Sequence, residues 1–186
     1  MCRLGIRNIR LALLPRAGAY ACTWKGDAMS MSIRPFAVQP NEGTELKTPT
    51  AGSVIVKADT RQTNGTMTVL EFLIPPNDGP AVHSHLREDE LWYVIEGDFR
   101  FKAGDAMFKA STGGMAFGPR GLPHAFQNVG DELGRLLVIT TPSGLERFFE
   151  QSDELSRPVD LEELAAVGWA NWMEFSGPPL GISDLP

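Results

Sequence analysis

The 186-residue chain has two cysteines, Cys2 and Cys22, and both fall within its first thirty residues. The rest of the chain therefore has no disulfide framework and no thiolate metal site. No apolar run approaches the ~20 residues that cross a bilayer, so no membrane is expected as a partner. Cationic charge is also short. The net charge is −6, yet residues 1–30 hold Arg3, Arg7, Arg10, Arg16 and Lys25 against Asp27, so the body is more acidic than the total suggests. An acidic body argues against nucleic acid and against anionic lipid surfaces. Histidine is scarce as well, with three residues: His83, His85 and His124.

The basic stretch 1–30 has its longest aliphatic run at Leu11-Ala12-Leu13-Leu14, which Pro15-Arg16 cuts short. A secretory signal needs about 7–15 continuous apolar residues. An arginine-rich targeting segment is one alternative. The favoured reading is a disordered extension, or a natural start at Met29 or Met31, which leaves the protein cytoplasmic.

Abundant residues point to an all-β body. The 19 glycines and 14 prolines punctuate the chain regularly, as turn-rich antiparallel sheets require. Residues 31–52 read as an N-terminal arm or lead-in strand. Strands are predicted over 53–58, 66–74, the paired-histidine run, 90–95, 99–103, 106–109, 115–117, 125–127 and 135–141. Gly104-Asp105 marks a hairpin. Beyond Pro142 the period changes from two to about 3.6, predicting helices over 144–150 and 160–167. The tail 177–181 reads as extended.

The histidines carry the chemistry. Residues two apart on a strand face the same side, so His83 and His85 converge. Neutral imidazole is the commonest metal ligand, and a carboxylate can complete a mixed nitrogen and oxygen site. Glu88 and Asp89 compete with Glu90 for that role. Alternation favours Glu90, with Trp92 and Val94 also facing inward and Tyr93 outward.

These residues resemble the cupin family. His83-x-His85, Glu90 and Gly97 fit its first motif; Gly79 stands nearer to the histidines than the family's leading glycine, which puts the local turn in question but not the ligands. Gly113, Pro119, Gly121, His124 and Asn128 fit the second motif. The resemblance covers residues 53–141. It implies an antiparallel double-stranded β-helix, a jelly-roll barrel, followed by short C-terminal helices over 142–186. It further implies that His83, His85, Glu90 and His124 bind one divalent transition metal: iron, manganese, nickel, cobalt, copper or zinc. The segment from Pro142 to Phe149 is similar to that of bacterial single-domain cupins related to quercetin dioxygenases.

The expected activity is a metal-dependent dioxygenase acting on a small aromatic, flavonol-like or 1,3-dicarbonyl substrate, with Glu90 both ligand and base. Alternatives are a zinc-dependent cyclase, isomerase or lyase, and a non-catalytic small-molecule-binding barrel. Trp92, Phe101, Phe117 and Phe126 are the candidate pocket residues, although aromatics in small barrels are more often core. Phe148 and Phe149 either cap the barrel or pack on a partner. Trp169 and Trp172 are expected to anchor the C-terminal segment. Asn128 and Arg120 either orient ligands or satisfy turn backbone. Gly97 and Gly121 are expected at positive φ. A homodimer is implied by the resemblance.

Overall fold

The computed structural model describes residues 33–40 and 42–181; the reading of residues 1–30 lies outside them. Ten strands precede the helices among the described residues: β1 (Thr44–Lys47), β2 (Ser53–Ala58), β3 (Thr68–Ile74), β4 (Ala81–His85), β5 (Asp89–Glu96), β6 (Asp98–Ala103), β7 (Ala106–Ser111), β8 (Met115–Gly118), β9 (His124–Asn128) and β10 (Gly134–Thr141). Helices α1 (Glu146–Asp153) and α2 (Leu161–Ala170) follow, and β11 (Met173–Pro179) closes the order.

The strands form two antiparallel sheets. One runs β1-β2-β3-β10-β5-β8 and the other β11-β4-β9-β6-β7. Strands adjacent in a sheet are often distant in sequence, as a jelly roll requires. The period-two pattern explains the packing. Trp92 and Val94 are buried on β5 while Tyr93 is exposed, and Leu136 and Val138 are buried on β10. With Val54, Leu70, Phe99 and Phe101 they fill the space between the sheets. Each such side chain contributes roughly 1.5–3 kcal/mol when fully buried.

Several boundaries depart from the sequence pattern for local reasons. β3 starts at Thr68, two residues late, because the Thr63 hydroxyl takes the backbone: it donates to the Asp59 carbonyl and accepts from the Met67 amide. Side chain to backbone bonds of this kind compete with a ladder. The second helix starts at Leu161 because Asp160 caps it, its Oδ1 accepting from the Glu162 and Glu163 amides at 2.8 and 3.0 Å. The first helix starts at Glu146, after Gly144 at φ +144°. Its apolar face buries Phe148 and Phe149, and Phe149 stands edge-on to Phe72 with centroids 5.3 Å apart. The buried Glu146 carboxylate accepts from Thr60 and Thr68, fastening the helix to the turn before β3.

β11 was legible only as an extended tail, since Pro178 and Pro179 argue against a strand. It survives as an edge strand against β4, with Met173 opposite His85 and Phe175 opposite His83. Trp169 and Trp172 are not buried anchors: they are 65% and 53% exposed. Trp172 sits at φ +62° with the Arg87 guanidinium 5.8 Å from its ring centroid. Gly97 and Gly121 do adopt positive φ, at +97° and +75°.

Candidate metal centre

β4 turns His83 and His85 into the barrel, and β9 delivers His124 directly opposite His83. Glu90 arrives from β5 in the other sheet. One donor atom from each of the four lies within 4.8 Å of every other, and all four residues are buried. The Glu90 Oε2 is 3.1 Å from His85 Nε2 and 3.0 Å from His124 Nε2.

Backbone carbonyls orient two of the rings. His83 Nδ1 lies 2.8 Å from the Ala81 oxygen and His124 Nδ1 2.8 Å from the Leu122 oxygen. A carbonyl only accepts, so both Nδ1 atoms donate and the Nε2 lone pairs are left for another partner. Burial drives the His83 pKa down to about 3, and the neighbouring His124 and His85 add to the effect. His83 is therefore neutral near pH 7. Burial pushes the Glu90 carboxyl up, but His85 and His124 outweigh it and hold it below the carboxylate range. Burial pushes His124 down, yet the Glu90 carboxylate 3.0 Å away leaves it above the ordinary histidine value.

This donor set fits a metal ion. His85 Nε2, Glu90 Oε2 and His124 Nε2 are buried and make no hydrogen bond of acceptable geometry. Orphaned buried polar atoms are costly, and three in one place call for a shared partner. Three imidazole nitrogens and one carboxylate oxygen are a donor set that divalent transition metals accept.

Trp92 packs behind His124, ring centroids 5.3 Å apart. Gly118 makes this possible: a Cβ there would come within 2.5 Å of the Trp92 ring. Nothing in the sequence motifs marked Gly118 apart from its glycine identity. Glu88, the rival carboxylate, is also buried, and burial raises its pKa against the pull of His85 and Arg87. It does not join the four-residue cluster.

A cavity of about 260 Å³ opens beside the cluster and reaches His83, His85 and Glu90. Of the four aromatics expected to line it, the structure places Phe126 there. Trp92 and Phe101 are core residues, 1% and 0% exposed. Phe117 is 50% exposed, because β8 turns Ala116 and Gly118 inward and Met115 and Phe117 outward. Sequence reasoning missed most of the real wall, including Leu145, Leu164 and Phe175. The helical period over 144–150 was the one signal for it. Asn128 satisfies turn backbone, its amide donating to the Ile74 and Glu132 carbonyls, and Arg120 pairs with Asp89 rather than with a ligand.

Residues 70–140 match the cupin domain family. The barrel has the cupin fold. The barrel is similar to that of a protein from Thermotoga maritima described as a predicted oxalate decarboxylase, at 17% identity and a TM-score of 0.54 over 57% of this chain and 99% of that one. It is also similar to KdgF from Halomonas sp., at 15% identity and a TM-score of 0.53 over 59% of this chain and 94% of that one. At such identities the likeness concerns the cupin fold alone. An uncharacterised protein of Methanocaldococcus jannaschii is 24% identical over 72 residues, 39% of this chain and 58% of that protein. The chain thus matches little more than half the length of that relative. Among the described residues no helix is long and apolar enough to cross a membrane.

Proposed function

We propose that the protein is a cytoplasmic, metal-dependent dioxygenase of the cupin type acting on a small aromatic, flavonol-like or 1,3-dicarbonyl substrate. The observation that carries this reading is a buried cluster of three imidazoles and one carboxylate at the edge of an apolar cavity. His83, His85, Glu90 and His124 would hold one divalent transition metal. Such an ion would act there as a Lewis acid and as a template for substrate and dioxygen.

The chain's own groups have definable tasks. The Ala81 and Leu122 carbonyls fix the tautomers of His83 and His124. Phe126 and the apolar wall exclude water and seat the organic body of the substrate. The Glu90 carboxylate lines the cavity and is ionised at neutral pH. It can accept the proton of an acidic enol or phenol as that group enters. The relatively acidic enol of a 1,3-dicarbonyl suits transfer of its proton to a carboxylate.

Oxygen uptake tests the proposal. Protein reconstituted separately with iron, manganese, nickel, cobalt and copper should consume dioxygen with 1-phenyl-1,3-butanedione or a flavonol, and His124→Ala should not. Conversion without oxygen consumption, best with zinc, would replace this reading by a non-oxidative cyclase, isomerase or lyase. Tight binding with no product would replace it by a binding barrel.

A homodimer is also proposed. Tyr93 and Met115 stand opposite each other on β5 and β8, as do Leu91 and Phe117, and Tyr93, Met115 and Phe117 are exposed. This apolar stripe on the outer sheet face supports pairing with a second copy. Sedimentation should give a dimer that Phe117→Asp converts to monomer; an unchanged mass for that variant would contradict the assignment.

A further inference from the structure

The cavity is built from two different sources. The candidate ligands lie inside the matched stretch 70–140, whereas more than half of the lining residues lie outside it. Leu145, Phe148 and Phe149 come from α1 and its approach, Leu161 and Leu164 from α2, and Phe175 from β11. The turn between β1 and β2 also lines the cavity, through Thr48, Pro49 and Thr50. Thr50 and the Ala51 amide both donate to Asp78, at 2.9 and 3.2 Å, and Arg157 donates to the Thr48 carbonyl at 2.8 Å.

The charges of the lining are one-sided. It includes the carboxylates of Asp78 and Glu90 and, among the described residues, neither lysine nor arginine. With a divalent ion bound, Glu90 and Asp78 already balance its two charges, so a dianion would bring two further negative charges with no side-chain cation to offset them. A polyhydroxylated sugar would lose water against an apolar wall that offers few replacement hydrogen bonds. An uncharged apolar body would gain from the same wall. The volume of about 260 Å³ is near the lower end of small-molecule sites, roughly 300–1,000 Å³.

Resting on the metal-site reading, we infer that this site selects a small molecule with one metal-binding oxygen end and an uncharged, apolar body, that it rejects dianions and sugars, and that α1, α2 and β11 make the selection through Phe149, Leu164 and Phe175. The barrel supplies the chemistry and the C-terminal segment supplies the specificity.

Calorimetric titration of the full chain tests this. Cobalt-loaded protein is titrated anaerobically with 2,4-pentanedione, 1-phenyl-1,3-butanedione, oxalate and galacturonate. The phenyl compound should bind at least about tenfold more tightly than pentanedione, since its ring adds buried apolar area to the same chelating end. Oxalate and galacturonate should bind more weakly than either. Leu164→Arg should lower the phenyl preference and improve oxalate binding while cobalt content stays unchanged. Should that variant not fold, Leu164→Ala reads the same loss of phenyl preference. Equal affinity for the two diketones, or tighter binding of oxalate by the intact protein, would overturn the inference. Failure of the intact protein to retain cobalt would overturn the metal-site reading instead.

Discussion

The barrel interior around His124 and the helical wall around Phe149 adjoin one cavity but are held by different forces. At His124 the side chains are polar, buried and incompletely satisfied, with Nε2 atoms and a carboxylate oxygen crowded without hydrogen bonds. At Phe149 the packing is ring on ring, edge-on to Phe72 at 5.3 Å and to Phe148 at 5.0 Å. The first region needs a ligand to balance it. The second is balanced by burial alone. Mutations in the wall should therefore change stability and substrate choice without touching the metal, and mutations in the cluster should do the reverse.

The largest expected effect on stability lies in the wall. Phe149→Ala removes a nearly buried ring and should cost about 3 kcal/mol, toward the low end for such truncations because the site borders a cavity. Denaturant unfolding measures the loss, and metal content should not change. A large drop in metal content would break the separation between the two regions.

Gly118→Ala probes the boundary of the cluster. The added methyl would stand 2.5 Å from the Trp92 ring, and overpacking of this kind costs typically 1–3 kcal/mol. Because Trp92 backs His124, metal affinity should also fall by about 10–100-fold, the usual effect of disturbing a ligand's support. Unchanged affinity in a competition titration would show that Trp92 does not position His124.

Glu146→Gln changes a residue that is not one of the four in the cluster. It weakens the acceptor for Thr60 and Thr68 and should cost about 1 kcal/mol, with metal binding intact. The Glu146 pKa is lowered, since these hydrogen bonds outweigh the burial that would raise it. Its contribution is present above the ordinary carboxylate range and fades as pH falls through the depressed folded value. The intact protein should show this acid-side loss and the variant less of it.

The pH dependence of the cluster itself separates the two states of the protein. In metal-free protein the raised His124 pKa contributes stability that is present below about 6.5 and is lost as pH rises through the folded value. Metal binding needs neutral imidazole, so the stabilisation given by added metal should grow as pH rises over that same window. Melting temperatures with and without metal, across this range, should converge at the acid end and diverge at the alkaline end. Parallel curves would count against His124 as a ligand.

The sequence made one of these regions readable and left the other dark. His83 and His85 at spacing two, Glu90 by alternation, and His124 after a proline and glycine turn all follow from strand geometry, which repeats every two residues. The jelly-roll order followed from the same motifs. The wall has no such rule. Phe126 points into the cavity while Phe117, equally aromatic, points to solvent, because only the register of β8 decides which face is which. Leu164 and Phe175 reach the cavity by packing of α2 and β11 against β4 and α1, contacts that no spacing along the chain encodes. Glu88 shows the same limit: its burial was not readable, and its neighbour two positions on joins the cluster in its place.

The central claim is that His83, His85, Glu90 and His124 together hold one divalent transition metal, and elemental analysis of reconstituted protein addresses it most directly. The account predicts about one ion per chain in the intact protein and in Phe149→Ala, and a small fraction of that in His124→Ala. Absence of metal from the intact protein after reconstitution, or equal content in His124→Ala, would contradict it.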